Sequence, residues 1–109
     1  VEQVTRAIGA REVGFYVHVA AASSVGPFLD EAAAAHRKIL TLNCVTPGLL
    51  THHFGQGMHA RGRGGIVLMA SLSAFQGNPF VAHYAASKAY NLILAEGLWD
   101  ELRSRGERI

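Results

Sequence analysis

A tyrosine and a lysine stand four residues apart, at Tyr84 and Lys88, within the stretch HYAASKAY. Residues four apart share one face of a helix, so the phenol and the ammonium would point the same way. A tyrosine hydroxyl has an unperturbed pKa near 10 and exchanges protons poorly at neutral pH. An ammonium about 6 Å away would favour the phenolate by roughly 3 kcal/mol, which lowers that pKa by about 2 units. The pair predicts general acid–base chemistry, but the bare spacing also describes a surface lysine that follows a packed tyrosine.

Strand and helix patterns alternate along the chain and must position this pair. Residues 14–21 are rich in aromatic and β-branched side chains, and residues 65–70 are nearly all apolar, as in a strand buried on both faces. A long helix pattern follows each of them. This order predicts an α/β fold, a Rossmann-like βαβα segment of a doubly wound domain with a parallel sheet. The helix of Tyr84 and Lys88 would then begin near the carboxyl end of the sheet, where such folds bind ligands.

The two long helices have recognisable boundaries in the sequence. The first is expected to begin at Asp30, a good N-cap, and to run through AAAAHRKILTLN. Pro47 and Gly48 should kink or pause it, because proline lacks an N–H and crowds the preceding turn. The pattern then resumes to about Met58, and the second long helix is expected from about Val81.

Both ends of the chain carry incomplete elements. Residues 1–8 have the apolar spacing of the last turns of an amphipathic helix, and residues 107–109 follow Gly106 as the beginning of a strand would. Two strands alone do not make a stable parallel sheet. We therefore predict that residues 1–109 are one part of a larger domain, incomplete at both ends.

Motifs in this order resemble the short-chain dehydrogenase/reductase family over nearly the whole chain. The family's serine strand, active-site loop and tyrosine helix correspond to IVLMASLSAFQGNPFVAHYAASKAYNLILAEGLWDELRSRG, and its asparagine helix corresponds to KILTLNCVTPGLL. Its strand ending in Asn-Asn-Ala-Gly corresponds to GFYVHVAAASSVGPFLD. The resemblance implies a Rossmann-type oxidoreductase that uses NAD or NADP to interconvert a carbonyl and a secondary alcohol.

By this resemblance, four residues acquire roles in catalysis. Tyr84 would protonate the carbonyl oxygen in reduction or act as the base in alcohol oxidation, and Lys88 would lower the tyrosine pKa and hold the ribose hydroxyls of the cofactor. Ser71 would hydrogen-bond the substrate oxygen. It lies thirteen residues before Tyr84, as the family's serine does, whereas Ser73 lies eleven before and already belongs to the loop. Asn43 would hold a water in a proton relay towards Lys88.

The chain departs from the family pattern at residues 18–21, where His-Val-Ala-Ala replaces Asn-Asn-Ala-Gly. The family's asparagine ties neighbouring strands together, and Val19 has no polar group to do so. Ala20 and Ala21 remain small enough for close approach of the cofactor. This departure supports an alternative, a non-catalytic relative of the family that serves in assembly or in cofactor sensing.

The resemblance also implies segments outside residues 1–109. The glycine-rich turn that takes the cofactor's pyrophosphate, and the residue that separates NAD from NADP, would precede Val1, and the segment that covers the substrate would follow Ile109. We therefore expect residues 1–109 to be the catalytic half of the domain, inactive in isolation. The family packs its asparagine and tyrosine helices against symmetry mates, which implies a homodimer or homotetramer. Three apolar loop residues point to an apolar carbonyl substrate: Phe75, Pro79 and Phe80.

Composition excludes several other classes of protein. Ten basic and eight acidic residues leave a net charge of +2, too mild for a nucleic-acid partner, and half of the residues are hydrophobic, as in a globular domain. The apolar stretch at 39–50 is interrupted by polar residues and proline, so no membrane span is expected. The single cysteine, Cys44, fits a reducing, cytoplasmic compartment and, without a basic neighbour, should be inert. The segment RGRGG at 61–65 offers an RNA-binding alternative, but a single copy is better explained as a tight turn.

The remaining candidate residues are given structural roles. No carboxylate or cysteine joins His52, His53 and His59, so no metal site is expected. His83 adjoins Tyr84 but would point to another face of the helix and line the loop. Trp99 would pack within the apolar stripe of the last helix.

Overall fold

The computed structural model describes residues 1–109 and arranges them in four α-helices and two strands. The helices are α1 (Glu2–Ile8), α2 (Ala33–Leu40), α3 (Thr46–Arg61) and α4 (Ala82–Ser104). The strands are β1 (Phe15–His18) and β2 (Gly65–Leu68). Two short 3₁₀ turns lie at Phe28–Asp30 and Leu72–Phe75, and a π-helical turn at Thr41–Val45 joins α2 to α3.

The two strands form a parallel sheet, which confirms the predicted α/β class. The register pairs Phe15 with Gly65. Both strands are shorter than predicted: β1 ends at His18 and β2 at Leu68, and the N–H of Met69 donates to the carbonyl of His18 at 3.0 Å. Beyond the end of β1, the backbone N–H and C=O of Ala22 are bonded by the side-chain amide of Asn43.

Helix α3 covers one face of the sheet. The core on this face consists of Tyr16, Leu50, Phe54 and Met58. On the opposite face, Val17 and Val67 remain 46% and 39% exposed. The prediction that the second strand is buried on both faces is therefore wrong for residues 1–109.

An open apolar groove lies between the sheet and α4. Its volume is about 260 Å³, and its walls include Phe15, Leu68, Ala95 and Trp99. Trp99 is 59% exposed, so the prediction that it packs within the helix stripe is also wrong. The indole of Trp99 forms one wall of the groove, and the groove between α4 and the sheet is not filled by other side chains of residues 1–109.

Helix α2 begins later than predicted and without a side-chain cap. Asp30 ends the 3₁₀ turn that follows Pro27, and the N-cap position of α2 is Ala32. Glu31 and Ala32 are both extended, which separates Asp30 from the helix. The predicted N-cap at Asp30 is therefore wrong, and the helix instead begins in a run of alanines, the residue with the highest helix propensity.

The predicted interruption before Pro47 takes the form of the π turn. The N–H of Thr46 donates to the carbonyl of Thr41, five residues back, and α3 then continues with Pro47 in its first turn. Proline is tolerated there because the first N–H groups of a helix have no partner within it. Helix α3 ends at Arg61, three residues beyond the predicted Met58, and Gly62 closes it in the left-handed conformation at φ 67°.

The elements at the two ends agree with their sequence patterns. Helix α1 spans most of residues 1–8, and Arg108 forms a parallel bridge with Arg63 beyond the sheet, as a strand beginning at 107–109 would. None of the helices combines the length and the hydropathy that a membrane crossing needs.

Candidate active site

The first turns of α4 carry a buried polar face. Tyr84, Ser87, Lys88 and Asn91 follow helical spacing and share one side of the helix. Ser87, Lys88 and Asn91 are only 1%, 3% and 1% exposed. Ser87 and Asn91 were missed in the sequence. The signal that could have found them is a polar i, i+3, i+4, i+7 pattern in an otherwise apolar helix.

Lys88 places an ammonium inside the protein without a counter-charge. Its Nζ donates to the backbone carbonyl of Met69 at 2.7 Å and lies 5.9 Å from the centroid of the Tyr84 ring. None of the ion pairs of the chain includes it. Burial of an unpaired charge costs several kcal/mol, and an ammonium has three donors. Two N–H groups of Lys88 therefore remain without a partner in the protein.

Ser71 lies on the same segment as the carbonyl that binds Lys88. Its backbone is extended, and its Oγ accepts a hydrogen bond from the N–H of Ser73 at 3.2 Å, which caps the 3₁₀ turn Leu72–Phe75. Ser73 lies inside that turn, whereas Ser71 precedes it. The two serines therefore do not belong to one extended strand, in which residues two apart would face the same way. The turn packs against α4, so Ser71 and Tyr84 come from neighbouring elements.

Asn43 connects three parts of the chain from within the π turn. Its Nδ2 donates to the carbonyl of Ala22 and to the Oγ of Ser87, both at 2.8 Å, and its Oδ1 accepts from the N–H of Ala22 at 2.8 Å. The hydroxyl of Ser87 in turn donates to the carbonyl of Tyr84 at 2.7 Å, and Asn91 Nδ2 donates to the carbonyl of Asn43 at 3.0 Å. Both N–H groups of the Asn43 side chain are therefore occupied within the protein. The predicted relay water would have to bind elsewhere on this residue.

The stretch at 18–21 that departs from the family pattern divides into a buried and an open part. His18 is 6% exposed, and its Nδ1 lies 2.9 Å from the hydroxyl of Tyr16. Its Nε2 lies 3.3 Å from the carbonyl of Leu42. Val19 is 59% exposed, and Ala20 and Ala21 also lie exposed beyond the end of β1. His18 connects this segment to the π turn, and Ala22, directly after the segment, is bonded to Asn43 of the same turn.

His83 faces α2. Its Nδ1 lies 2.9 Å from the Nδ1 of His36, whose Nε2 contacts the carbonyl of Phe28 at 3.0 Å. Neutral imidazole carries one N–H, so one ring of the pair donates and the other accepts. His83 thus contributes to the contact between α2 and α4 beside the loop.

The environment of Cys44 corrects one expectation. Burial raises the pKa of its thiol, and the positive charge of Lys88 acts in the opposite direction. A basic neighbour is therefore present, although its effect is smaller than that of burial. The thiolate is disfavoured, as expected for an inert thiol.

The arginines of the RGRGG segment contact the protein itself. Arg61 donates to the carbonyl of Val13 at 2.8 Å and pairs with Glu12 at 3.2 Å, and Arg63 lies 3.8 Å from the same carboxylate. The left-handed Gly62 makes this segment the tight turn that was predicted.

Comparison with known proteins places the chain in a family. A family model described as short chain dehydrogenase matches residues 1–109. The 7β-hydroxysteroid dehydrogenase of Clostridium sardiniense is 30% identical over 97 residues, which cover 89% of this chain and 37% of that protein. The very-long-chain 3-oxoacyl-CoA reductase of Pyricularia oryzae is 35% identical over 80 residues, 73% of this chain and 24% of that protein.

Solved structures share the fold. One from Beutenbergia cavernae, described as an NAD(P)-dependent gluconate 5-dehydrogenase with NADP at low occupancy, is 34% identical with a TM-score of 0.85 over 94% of this chain and 42% of its own. A structure from work on 7β-hydroxysteroid dehydrogenase stereoselectivity is 28% identical, with a TM-score of 0.89 over 92% and 40%. The chain thus spans less than half the length of these relatives. It belongs to the short-chain dehydrogenase family and has that family's Rossmann-like fold.

Proposed function

We propose that this chain is the catalytic half of an NAD(P)-dependent oxidoreductase that interconverts a carbonyl and a secondary alcohol. The observation that carries the proposal is Lys88, an unpaired ammonium that is 3% exposed, one helical turn from Tyr84. A protein gains nothing in stability from such a charge, so its presence is best explained by a bound group that completes its hydrogen bonds.

The residues present fit a nicotinamide cofactor. The two spare N–H groups of Lys88 suit the two hydroxyls of a ribose, and Ala20 and Ala21 leave exposed backbone at the end of β1 where the cofactor would approach. The relative from Beutenbergia cavernae binds NADP. When bound, NAD or NADP accepts or supplies the hydride of the reaction.

The protein's own groups would handle the proton. The Tyr84 hydroxyl would donate a proton to the carbonyl oxygen during reduction and accept one during oxidation, while the charge of Lys88 stabilises the phenolate that is left. Ser71 would donate a hydrogen bond to the same oxygen. Asn43 would hold the helix of Tyr84 against the loop after β1, through Ser87 and Ala22.

An apolar, bulky substrate fits the surroundings of this site best. Leu72, Phe75 and Phe80 are 87%, 72% and 61% exposed. Phe80 adopts a left-handed φ of 64°, strained for a side chain of this size, and its carbonyl accepts from Gly26 N–H at 2.8 Å. Two relatives are named for substrates with a large apolar part, a hydroxysteroid and a very-long-chain 3-oxoacyl-CoA, whereas the relative from Beutenbergia cavernae is named for gluconate, a small polar substrate.

The experiment follows the absorbance of reduced nicotinamide with the complete protein, NADH or NADPH, and a steroid ketone or a small polar ketone. We expect turnover, with the higher kcat/KM for the steroid ketone. Cofactor binding without turnover of any ketone or alcohol would favour the non-catalytic alternative that the stretch at 18–21 raises.

Ser71 and Ser73 make a matched pair of variants. We expect Ser71→Ala to lower kcat by about 10²–10³-fold, the usual effect of removing a preorganised donor to developing charge. Ser73→Ala should change kcat far less, because Ser73 contributes its backbone N–H to the turn and not its hydroxyl. Thermal melts of both variants separate lost capping from lost catalysis. The reverse ranking of kcat would mean that Ser71 has been assigned wrongly.

We further propose a homodimer or homotetramer built on α2 and α4. Ala33 and Ala34 on α2 and Ile93 on α4 are exposed small or apolar residues, a surface that association would cover. Light scattering on the complete protein should give two or four times the mass of one chain. A monomeric mass at all concentrations would contradict this arrangement.

A further inference from the structure

The π turn leaves one backbone carbonyl without a helical donor. In an α-helix the carbonyl of Leu42 would accept from the N–H of Thr46, but that N–H donates to Thr41. The next backbone position is Pro47, which has no N–H. Leu42 is the residue directly before Asn43, so an unsatisfied carbonyl here would loosen the turn that holds Asn43.

His18 supplies the missing donor from β1. Its Nε2 lies 3.3 Å from the Leu42 carbonyl, at the long end for an N–H···O bond. A carbonyl can only accept, so Nε2 must carry the hydrogen, and in neutral imidazole Nδ1 is then an acceptor. The Tyr16 hydroxyl, 2.9 Å away, donates to it. Burial raises the pKa of Tyr16 to about 12, which keeps this hydroxyl protonated and able to donate at neutral pH.

We propose that His18 is a positioning residue that donates a hydrogen bond to the Leu42 carbonyl and thereby fixes the π turn. Through Asn43 and Ser87, the π turn in turn fixes the start of the helix that carries Tyr84. The connection runs through the peptide bond between Leu42 and Asn43 and then through two hydrogen bonds, since Asn43 donates to Ser87 and Ser87 donates to the Tyr84 carbonyl. This inference rests on the proposed function for its effect on catalysis, but not for its effect on the turn. It gives the histidine at position 18 a role of its own.

The test compares His18→Leu with His18→Gln in the complete protein. Leucine removes the donor, whereas the glutamine amide can place an N–H near the position of Nε2. We expect His18→Leu to speed hydrogen exchange of the backbone amides at 44–46 by about tenfold or more. We expect it to lower kcat by about ten- to hundredfold, with KM close to that of the wild type, because the reacting groups are misplaced while the binding surface remains. His18→Gln should keep amide exchange at 44–46 nearly as slow as in the wild type and should retain most of the wild-type kcat.

The two readouts separate the two claims. Unchanged exchange at 44–46 in His18→Leu would overturn the inference whatever the activity, and so would faster exchange with an unchanged kcat. If the wild-type protein has no turnover, the proposed function fails, while the exchange measurement still decides whether His18 holds the turn.

A second substitution tests the cause directly. Pro47→Ala restores a backbone N–H at residue 47, which could donate to the Leu42 carbonyl. In the His18→Leu background it should slow exchange at 44–46 and restore part of kcat, so the two substitutions would be strongly non-additive. Simple addition of their losses would contradict the role assigned to Pro47.

If His18→Leu does not fold, Tyr16→Phe provides a milder test, because it keeps the ring packed on Phe54 and removes only the hydroxyl. Tyr16→Phe should speed amide exchange at 44–46 and lower kcat, as His18→Leu does. No change in either quantity would count against the inference.

Discussion

Replacement of Tyr84 by phenylalanine is expected to lower kcat of the complete protein by about 10²–10⁴-fold, the contribution of a positioned general acid. The substitution removes one oxygen from a half-buried ring and leaves the backbone carbonyl that binds Ser87 in place. Cofactor affinity should change little, because Lys88 keeps its N–H groups. The measurement is steady-state oxidation of reduced nicotinamide together with cofactor binding by calorimetry.

Tyr90→Phe is the matched control on the same helix. Tyr90 is not part of the polar face formed by Tyr84, Ser87, Lys88 and Asn91. It is 42% exposed, and its hydroxyl approaches Gly48 of α3. We expect it to retain wild-type kcat. Equal activity of Tyr84→Phe and Tyr90→Phe would contradict the assignment of Tyr84 as the proton donor.

Replacement of Lys88 by methionine should affect both turnover and cofactor binding. It removes the charge that we propose stabilises the Tyr84 phenolate, together with the two N–H groups proposed for the ribose. Hydrogen bonds from a charged group contribute about 1.5–3 kcal/mol each, so the cofactor Kd should rise at least about tenfold, and kcat should fall by orders of magnitude. Because the ammonium is buried without a counter-charge, the melting temperature without cofactor should stay the same or rise.

The other lysine of the chain provides the control. Lys38 lies exposed on α2, and Lys38→Met removes the same charge away from the site. Its kcat and cofactor Kd should match the wild type. Loss of stability without cofactor in Lys88→Met, with unchanged cofactor Kd, would indicate that Lys88 only supports the Met69 carbonyl.

The features that the sequence predicted well depend on local periodicity. Tyr84 and Lys88 share a helix face because four residues make about one turn, whatever the rest of the chain does. The alternation of strand and helix patterns gave the parallel α/β arrangement for the same reason. The interruption near Pro47 followed from the chemistry of a single residue.

The features that could not be predicted from the sequence depend on contacts between residues far apart in the chain. Asp30 has the right chemistry for an N-cap, but the extended residues that follow it move the helix start to Ala33. His18 and Leu42 are 24 residues apart, and their contact arises only once the π turn has formed. Ser87 and Asn91 acquire their significance from Asn43, which is more than forty residues earlier in the chain.

A crystal structure of the complete protein with oxidised cofactor would test the central claim most directly. The measured quantity is the distance from Lys88 Nζ to the hydroxyls of the nicotinamide ribose. We predict that Nζ keeps its bond to the Met69 carbonyl and donates to the ribose at ordinary hydrogen-bond distances of about 2.7–3.2 Å, with the Tyr84 hydroxyl facing the nicotinamide. A cofactor bound away from Lys88, with the ammonium paired instead to a carboxylate of the protein, would contradict the account.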